Sequence, residues 1–268
     1  MAEIEATRAV VEAAETYDGR IIPARQAEID RPVKVRESAT VLGDIYGGTV
    51  EADPDTSVEG SMMASDGIEL DGAHVHGELG TPGRVLANDT KIDGTVTGKR
   101  VRLTDCVVRG NVVGAEVILE NCTVLGIATA ERSLMIEESL CYTVRGRGET
   151  RLDGTTLILP QAIIESTLEL PTPVTVAGLG KIDVDGDTSD GRLPEMTSDD
   201  IYTQEDTSYL TLAPRILNVE KATDRLQELE DGIMDVVDDT SSDDGTEMTV
   251  TNVLELLDVD YDPPVTAD

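Results

Sequence analysis

The chain has 268 residues, 54 acidic and 21 basic, for a formal net charge of -33. No basic stripe exists to neutralise phosphates, which excludes nucleic-acid binding, and no apolar run approaches the roughly 20 residues of a membrane span. Trp and Phe are absent, which argues against a broad globular core built on aromatic bulk and for a thin core of stacked small aliphatics.

Residues 1–32 read as a tail with one short helix over about 3–16 and a connector ending at Pro32. The opening MAEIEATRAVVEAAE has no basic region followed by an apolar one, so it is not read as a secretory signal. Its acidity argues against an amphipathic membrane anchor. The expected location is the cytoplasm, with any enrichment near the membrane arising through partners.

From 33 to 184 one short unit recurs, and the expected fold is all-β, a single-stack β-helix, or β-solenoid, with short helical N- and C-terminal tails. Six glycines each follow a β-branched residue two positions earlier: Gly43, Gly60, Gly77, Gly94, Gly110 and Gly126, spaced 17, 17, 17, 16 and 16. Gly146, 20 residues further on in TVRGRG, is read as a seventh instance in a coil carrying an insertion. Two before the glycines stand Val41, Val58, Val75, Ile92, Val108, Val124 and Val144; two after the first five stand Ile45, Met62, Leu79, Val96 and Val112. Strand side chains alternate faces, so both columns point inward. A second strand upstream carries Val33 and Val35, then Ile68 and Leu70, Val85 and Ala87, Val101 and Leu103, Val117 and Leu119. Five before each glycine lies a turn column, Ser38, Asp55, Gly72, Asp89, Asp105 and Asn121, of types that tolerate left-handed geometry. A column of small residues follows it: Ala39, Thr56, Ala73, Thr90, Cys106 and Cys122. The pattern weakens after Gly146 and persists in apolar pairs as far as Ile182 and Val184.

Residues 185–208 read as an acidic linker. The segment 209–268 is expected to hold a strand at Tyr209–Leu212 and an amphipathic helix over 218–238 with an apolar stripe including Leu226, Leu229 and Ile233. A second short helix is expected over 249–258. The helix over 218–238 fits either its own solenoid or a protein partner. Leu86, Ile118 and Met135 lie between inward positions and form an outward apolar column interrupted by Arg102, a lateral or tail-docking patch.

Little chemistry is indicated. The two histidines, His74 and His76, are two apart on one strand and point outward, so three histidine ligands for zinc cannot come from one chain. Cys106 and Cys122 stack in the small-residue column, with Cys141 near the next coil; an odd number of cysteines gives no disulfide framework. DVDGDTSDG at 183–191 fails the EF-hand pattern, because position six from Asp183 is Thr188 and position twelve is Pro194. No Gly-Lys-Ser/Thr phosphate loop occurs. The reading contains no catalytic, cofactor or metal site.

The units Val41-Gly43-Ile45, Val58-Gly60-Met62, Val75-Gly77-Leu79, Ile92-Gly94-Val96 and Val108-Gly110-Val112 resemble the bactofilins, a polymer-forming cytoskeletal family. The resemblance covers roughly 33–170. It implies a right-handed β-helix that polymerises end to end into a homopolymer without nucleotide, supporting cell shape or localising partners. The acid-rich, lysine-poor composition is similar to that of halophilic archaeal proteins. On this reading Val33, Val35 and Val41 form the open end coil through which subunits stack. Two alternatives from other classes are a hexapeptide-type solenoid enzyme, acyltransferase-like, and a non-polymerising binding module capped by its tails.

A net charge of -33 opposes compaction through self-repulsion, and the Debye length falls to about 3 Å at 1 M salt. The β-sheet circular dichroism signal and melting temperature are therefore expected to be markedly higher in molar KCl than at about 0.1 M; identical melts would show that charge repulsion is immaterial.

Overall fold

The computed structural model describes residues 2–5, 7–22, 30–177, 195–212 and 231–232. Its stacked parallel coils form a β-solenoid of about eight turns, which at about 4.8 Å per coil makes a rod roughly 35–40 Å long.

Each full coil supplies three strand segments, and like segments pair in parallel from coil to coil. The first ladder runs from Thr40–Val41 through Ser57–Val58, His74–Val75, Lys91–Ile92 and Val107–Val108. The second and third are the two halves of long strands such as Ile45–Ala52, Met62–Asp71 and Leu79–Asn88. Their register breaks between the halves, at Gly47/Thr49 and Thr81/Arg84. The inward columns read from the sequence are in register: Ile45 pairs with Met62, Met62 with Leu79, Leu79 with Val96 and Val96 with Val112. Each of these side chains, with Val41, Val58, Val75, Ile92 and Val108, is fully or almost fully buried in one continuous core. β-branched and aliphatic residues suit this narrow, pleated interior.

Two corners fix the coil. At the first, backbone stacks directly on backbone: a Cβ added at Gly77 would lie 2.6 Å from the Gly60 carbonyl, and one at Gly94 would lie 2.5 Å from the Gly77 oxygen. At the second, the turn column is left-handed as expected, with φ of 57° at Ser38, 58° at Asp55, 45° at Asp89, 54° at Asp105 and 51° at Asn121. The small residue that follows is buried, and from Thr90 onward it donates to the carbonyl two residues back. Thr90 Oγ1 reaches Asn88 O at 2.7 Å, Cys106 Sγ reaches Thr104 O at 3.1 Å, Cys122 Sγ reaches Glu120 O at 3.2 Å and Ser139 Oγ reaches Glu137 O at 2.7 Å. The cysteines are thus corner donors in a Ser/Thr position.

Three expectations are corrected. The N-terminal tail forms another coil in place of a helix: Ala9–Val11 pairs with Val33–Val35, Thr16–Tyr17 with Thr40–Val41, and Ile21 bridges Ile45. Ala9 and Val11 bury on one face in a period of two, and Ala14 is left-handed at φ 55°, which breaks any helix there. An open parallel edge with a waiting apolar surface outweighs the modest helix preference of Ala and Glu. Gly146 does not continue the glycine column. It pairs with Ala130, while Cys141 pairs with Val124 and Val144 with Ala128. This coil is shorter at its first corner, where the register shifts between Val124 and Ile127, and it carries no insertion there. The acidic linker is structured from Glu195: Glu195–Met196 pairs antiparallel with Val174–Val176, and Ile201–Gln204 forms a hairpin with Thr207–Thr211, where a strand was expected over Tyr209–Leu212. Ile182 and Val184, the stripe Leu226, Leu229 and Ile233, and the segment 249–258 lie outside the described residues.

Gly77→Ala would drive a methyl into the Gly60 backbone, and overpacking of this kind costs about 1–3 kcal/mol. Chemical denaturation is expected to show that loss, while Thr97→Ala on the exposed face stays within about 0.5 kcal/mol of the parent.

Candidate functional site

The sequence points to the rod's ends first. Val33, Val35 and Val41 do not lie at an open end: the coil of Ala9–Val11 and Thr16–Tyr17 covers them, and all three are 0–1% exposed. Beyond that coil, Glu3–Ile4 folds back antiparallel onto Ala9–Val11. The buried Arg31 guanidinium donates to Glu5 O at 2.6 Å and to Ile22 O at 2.8 Å, tying this end together. At the other end two ladders finish in antiparallel strands. Val174–Val176 is followed by Glu195–Met196, and Gln161–Ile164 by Thr207–Thr211. Met196 and Leu210 are fully buried there against the last coils, and Leu212 is 8% exposed. An antiparallel strand ends a parallel ladder because its own outer edge has the wrong direction for another coil.

The lateral column is in the expected register. Leu86 pairs with Arg102, Arg102 with Ile118 and Ile118 with Met135. Leu86 and Ile118 are half-buried and Met135 is 45% exposed. Arg102, ion-paired to Glu120 at 2.9 Å, divides the column. Leu86 and Arg102 line a shallow hollow with Glu69, Leu70, Asn88 and Thr104.

A third feature was only half visible. His74 and His76 point out of the core as expected, yet they are not free in solvent. Their rings lie 3.9 Å apart, centroid to centroid, and both engage one carboxylate oxygen. His74 Nε2 lies 3.2 Å from Asp93 Oδ2, and His76 Nδ1 lies 2.9 Å from the same atom. A carboxylate only accepts, so in the metal-free chain the His74 Nε2–H donates to it. His76 Nε2 looks the other way, to Glu59 Oε1 at 3.8 Å, and Arg109 Nε approaches Asp93 Oδ1 at 3.4 Å. Burial pushes the His74 imidazole below its ordinary value; repulsion from His76 acts in the same direction, against the pull of Asp93. The residues that sequence reasoning missed are Glu59, Asp93 and Arg109. Each stands one before a column glycine, as His76 does, so the solenoid stacks Glu59, His76, Asp93 and Arg109 in consecutive coils. Following that single outward column would have found them.

The chain was compared with protein-family models, curated proteins and solved structures, and none of them matches it.

All three cysteines are free and buried. Burial pushes the Cys106 thiol well up, helped by its hydrogen bond with Cys122, and burial does the same to Cys141. The thiolate is the reactive species, so at pH 8 the folded protein is expected to leave Ellman's reagent unreacted, with three thiols titrating once it is unfolded. Rapid reaction of the folded chain would place a cysteine outside the core.

Proposed function

We propose that this chain is a non-enzymatic scaffold of the bactofilin type, built to self-assemble along its rod axis without nucleotide, with assembly held in check by its own C-terminal strands. Support for the scaffold reading comes from the repeat itself, in which parallel ladders run coil on coil and every coil is a template for the next. The observation that carries the restraint is the pair of antiparallel strands, Glu195–Met196 and Thr207–Thr211, seated on the last coils. With them in place the end resembles a capped module; with them displaced, Ala162, Ile164, Val174 and Val176 become an apolar cross-section with open edges. A homopolymer grown in this way would serve in the cytoplasm as a shape-supporting or partner-localising element, and the segment carrying Leu226, Leu229 and Ile233 would supply a partner contact.

Negative-stain microscopy and sedimentation in molar KCl separate the outcomes. The full chain is expected to remain as monomers or short rods. A chain ended after residue 177, or a full chain with Leu210→Asp beneath the cap, is expected to form filaments. Long filaments from the full chain with its end strands still protected would contradict the restraint, and folded but monomeric truncated protein would contradict self-assembly.

A further inference from the structure

The chain's two histidines and a carboxylate from the next coil converge at one point, and the question is what that point could hold. His74 and His76 stand two apart along an extended segment, so they leave the same face. Asp93 is placed opposite His76 by the pairing of Ile92 with Val75, and the Asp93 amide donates to Val75 O at 2.9 Å. Glu59 is placed on the other side of His76 by the pairing of Val58 with Val75. The backbone ladder therefore fixes where all four side chains start.

We propose that His74, His76 and Asp93 bind a divalent transition cation of the zinc type. A tetrahedral zinc site has metal–ligand bonds of about 2.0–2.1 Å, which sets neighbouring ligand atoms about 3.3 Å apart. One edge already has about that length, Asp93 Oδ2 to His74 Nε2 at 3.2 Å, and a second, to His76 Nδ1 at 2.9 Å, is shorter and must open; each ligating imidazole carries its proton on the opposite ring nitrogen. The three ligand atoms all lie within 4.8 Å of one another, so closing the third edge needs only side-chain rotation of half-exposed rings. Imidazole and carboxylate together select zinc, nickel or copper over calcium and magnesium, which prefer all-oxygen sets. The His76 nitrogen turned away from the cation faces Glu59 Oε1 at 3.8 Å, beyond hydrogen-bond length, so Glu59 contributes negative charge beside the site. A fourth position is left open to water.

The charges facing the site do not all favour a cation. Lys91 stacks over His74 in the next coil, and Arg109 sits 3.4 Å from Asp93 Oδ1. Both repel the metal, whereas Asp93 and Glu59 attract it. This opposition leaves a signature that loose association with an acidic surface lacks: removing a nearby positive charge tightens binding, and removing a histidine weakens it.

The test is isothermal titration of the full-length protein with zinc chloride in molar KCl, where diffuse binding to exposed carboxylates is screened. The parent is expected to bind one zinc per chain. His74→Ala and His76→Ala, each checked for an unchanged circular dichroism spectrum, are expected to weaken binding at least tenfold. Asp93→Asn, which keeps the side-chain shape, is expected to do the same. Arg109→Gln is expected to tighten it severalfold. Histidine ring nitrogen chemical shifts followed by NMR during the same titration should move at both rings and saturate at one equivalent. Zinc binding left unchanged by the double variant His74→Ala/His76→Ala would assign it to the acidic surface and overturn the proposal, as would no binding by the parent.

Discussion

Every level of this structure depends on coils lying flat on one another, backbone to backbone, along the whole rod. The constraint is tightest at the glycine corner. There the Gly60, Gly77, Gly94 and Gly110 backbones approach so closely that a Cβ on any of the later three would fall 2.5–2.6 Å from the coil below. Because the corners cannot spread, neighbouring segments stay in hydrogen-bonding register, and the register carries Val, Ile and Leu columns into one core. The opposite corner is held by left-handed residues and, from Thr90 to Ser139, by a buried donor returning to the carbonyl two residues behind. No single coil buries enough apolar surface to stand alone, so stability is a sum over neighbours.

The same stacking places chemistry. A solenoid turns a spacing of 16 or 17 residues into contact across one strand separation, so residues far apart in sequence become a column. Glu59, His76, Asp93 and Arg109 form such a column on the outside, and Cys106 and Cys122 form one within. Outward columns carry much of the ion pairing, as in Arg132 with Glu116 at 2.9 Å and Lys34 with Glu51 at 3.5 Å. Exposed pairs of this kind contribute little each, but they offset some of the repulsion in a chain this acidic.

The middle of the rod was legible from the sequence because its glycine, aliphatic and turn columns share one period, and a strand period of two distinguishes in from out without further information. The ends were not legible, for physical reasons that differ. The coil of Ala9–Val11 and Thr16–Tyr17 has too short an apolar pattern to stand out from a helix, and only the waiting edge of Val33–Val35 decides it. The C-terminal strands pair antiparallel, so they carry none of the repeat's spacing; Met196 and Leu210 gain their meaning from where the last coils leave off. Gly146 was misassigned because a valine two residues before a glycine occurs in both columns, and only register tells them apart. The histidines were correctly placed on the outer face. Their carboxylate partner is legible only along the stack, because Asp93 reaches them from the next coil.

A register-locked rod whose last coils are covered by the chain's own strands is protected to its end. Hydrogen–deuterium exchange on the full-length protein in molar KCl tests it most directly. Amides in Gln161–Ile164 and Val174–Val176 are expected to exchange as slowly as those of Leu79–Asn88 and Val96–Thr104 in the middle of the rod. Fast exchange in those two terminal segments beside a slow middle would show the end to be open, and would contradict it.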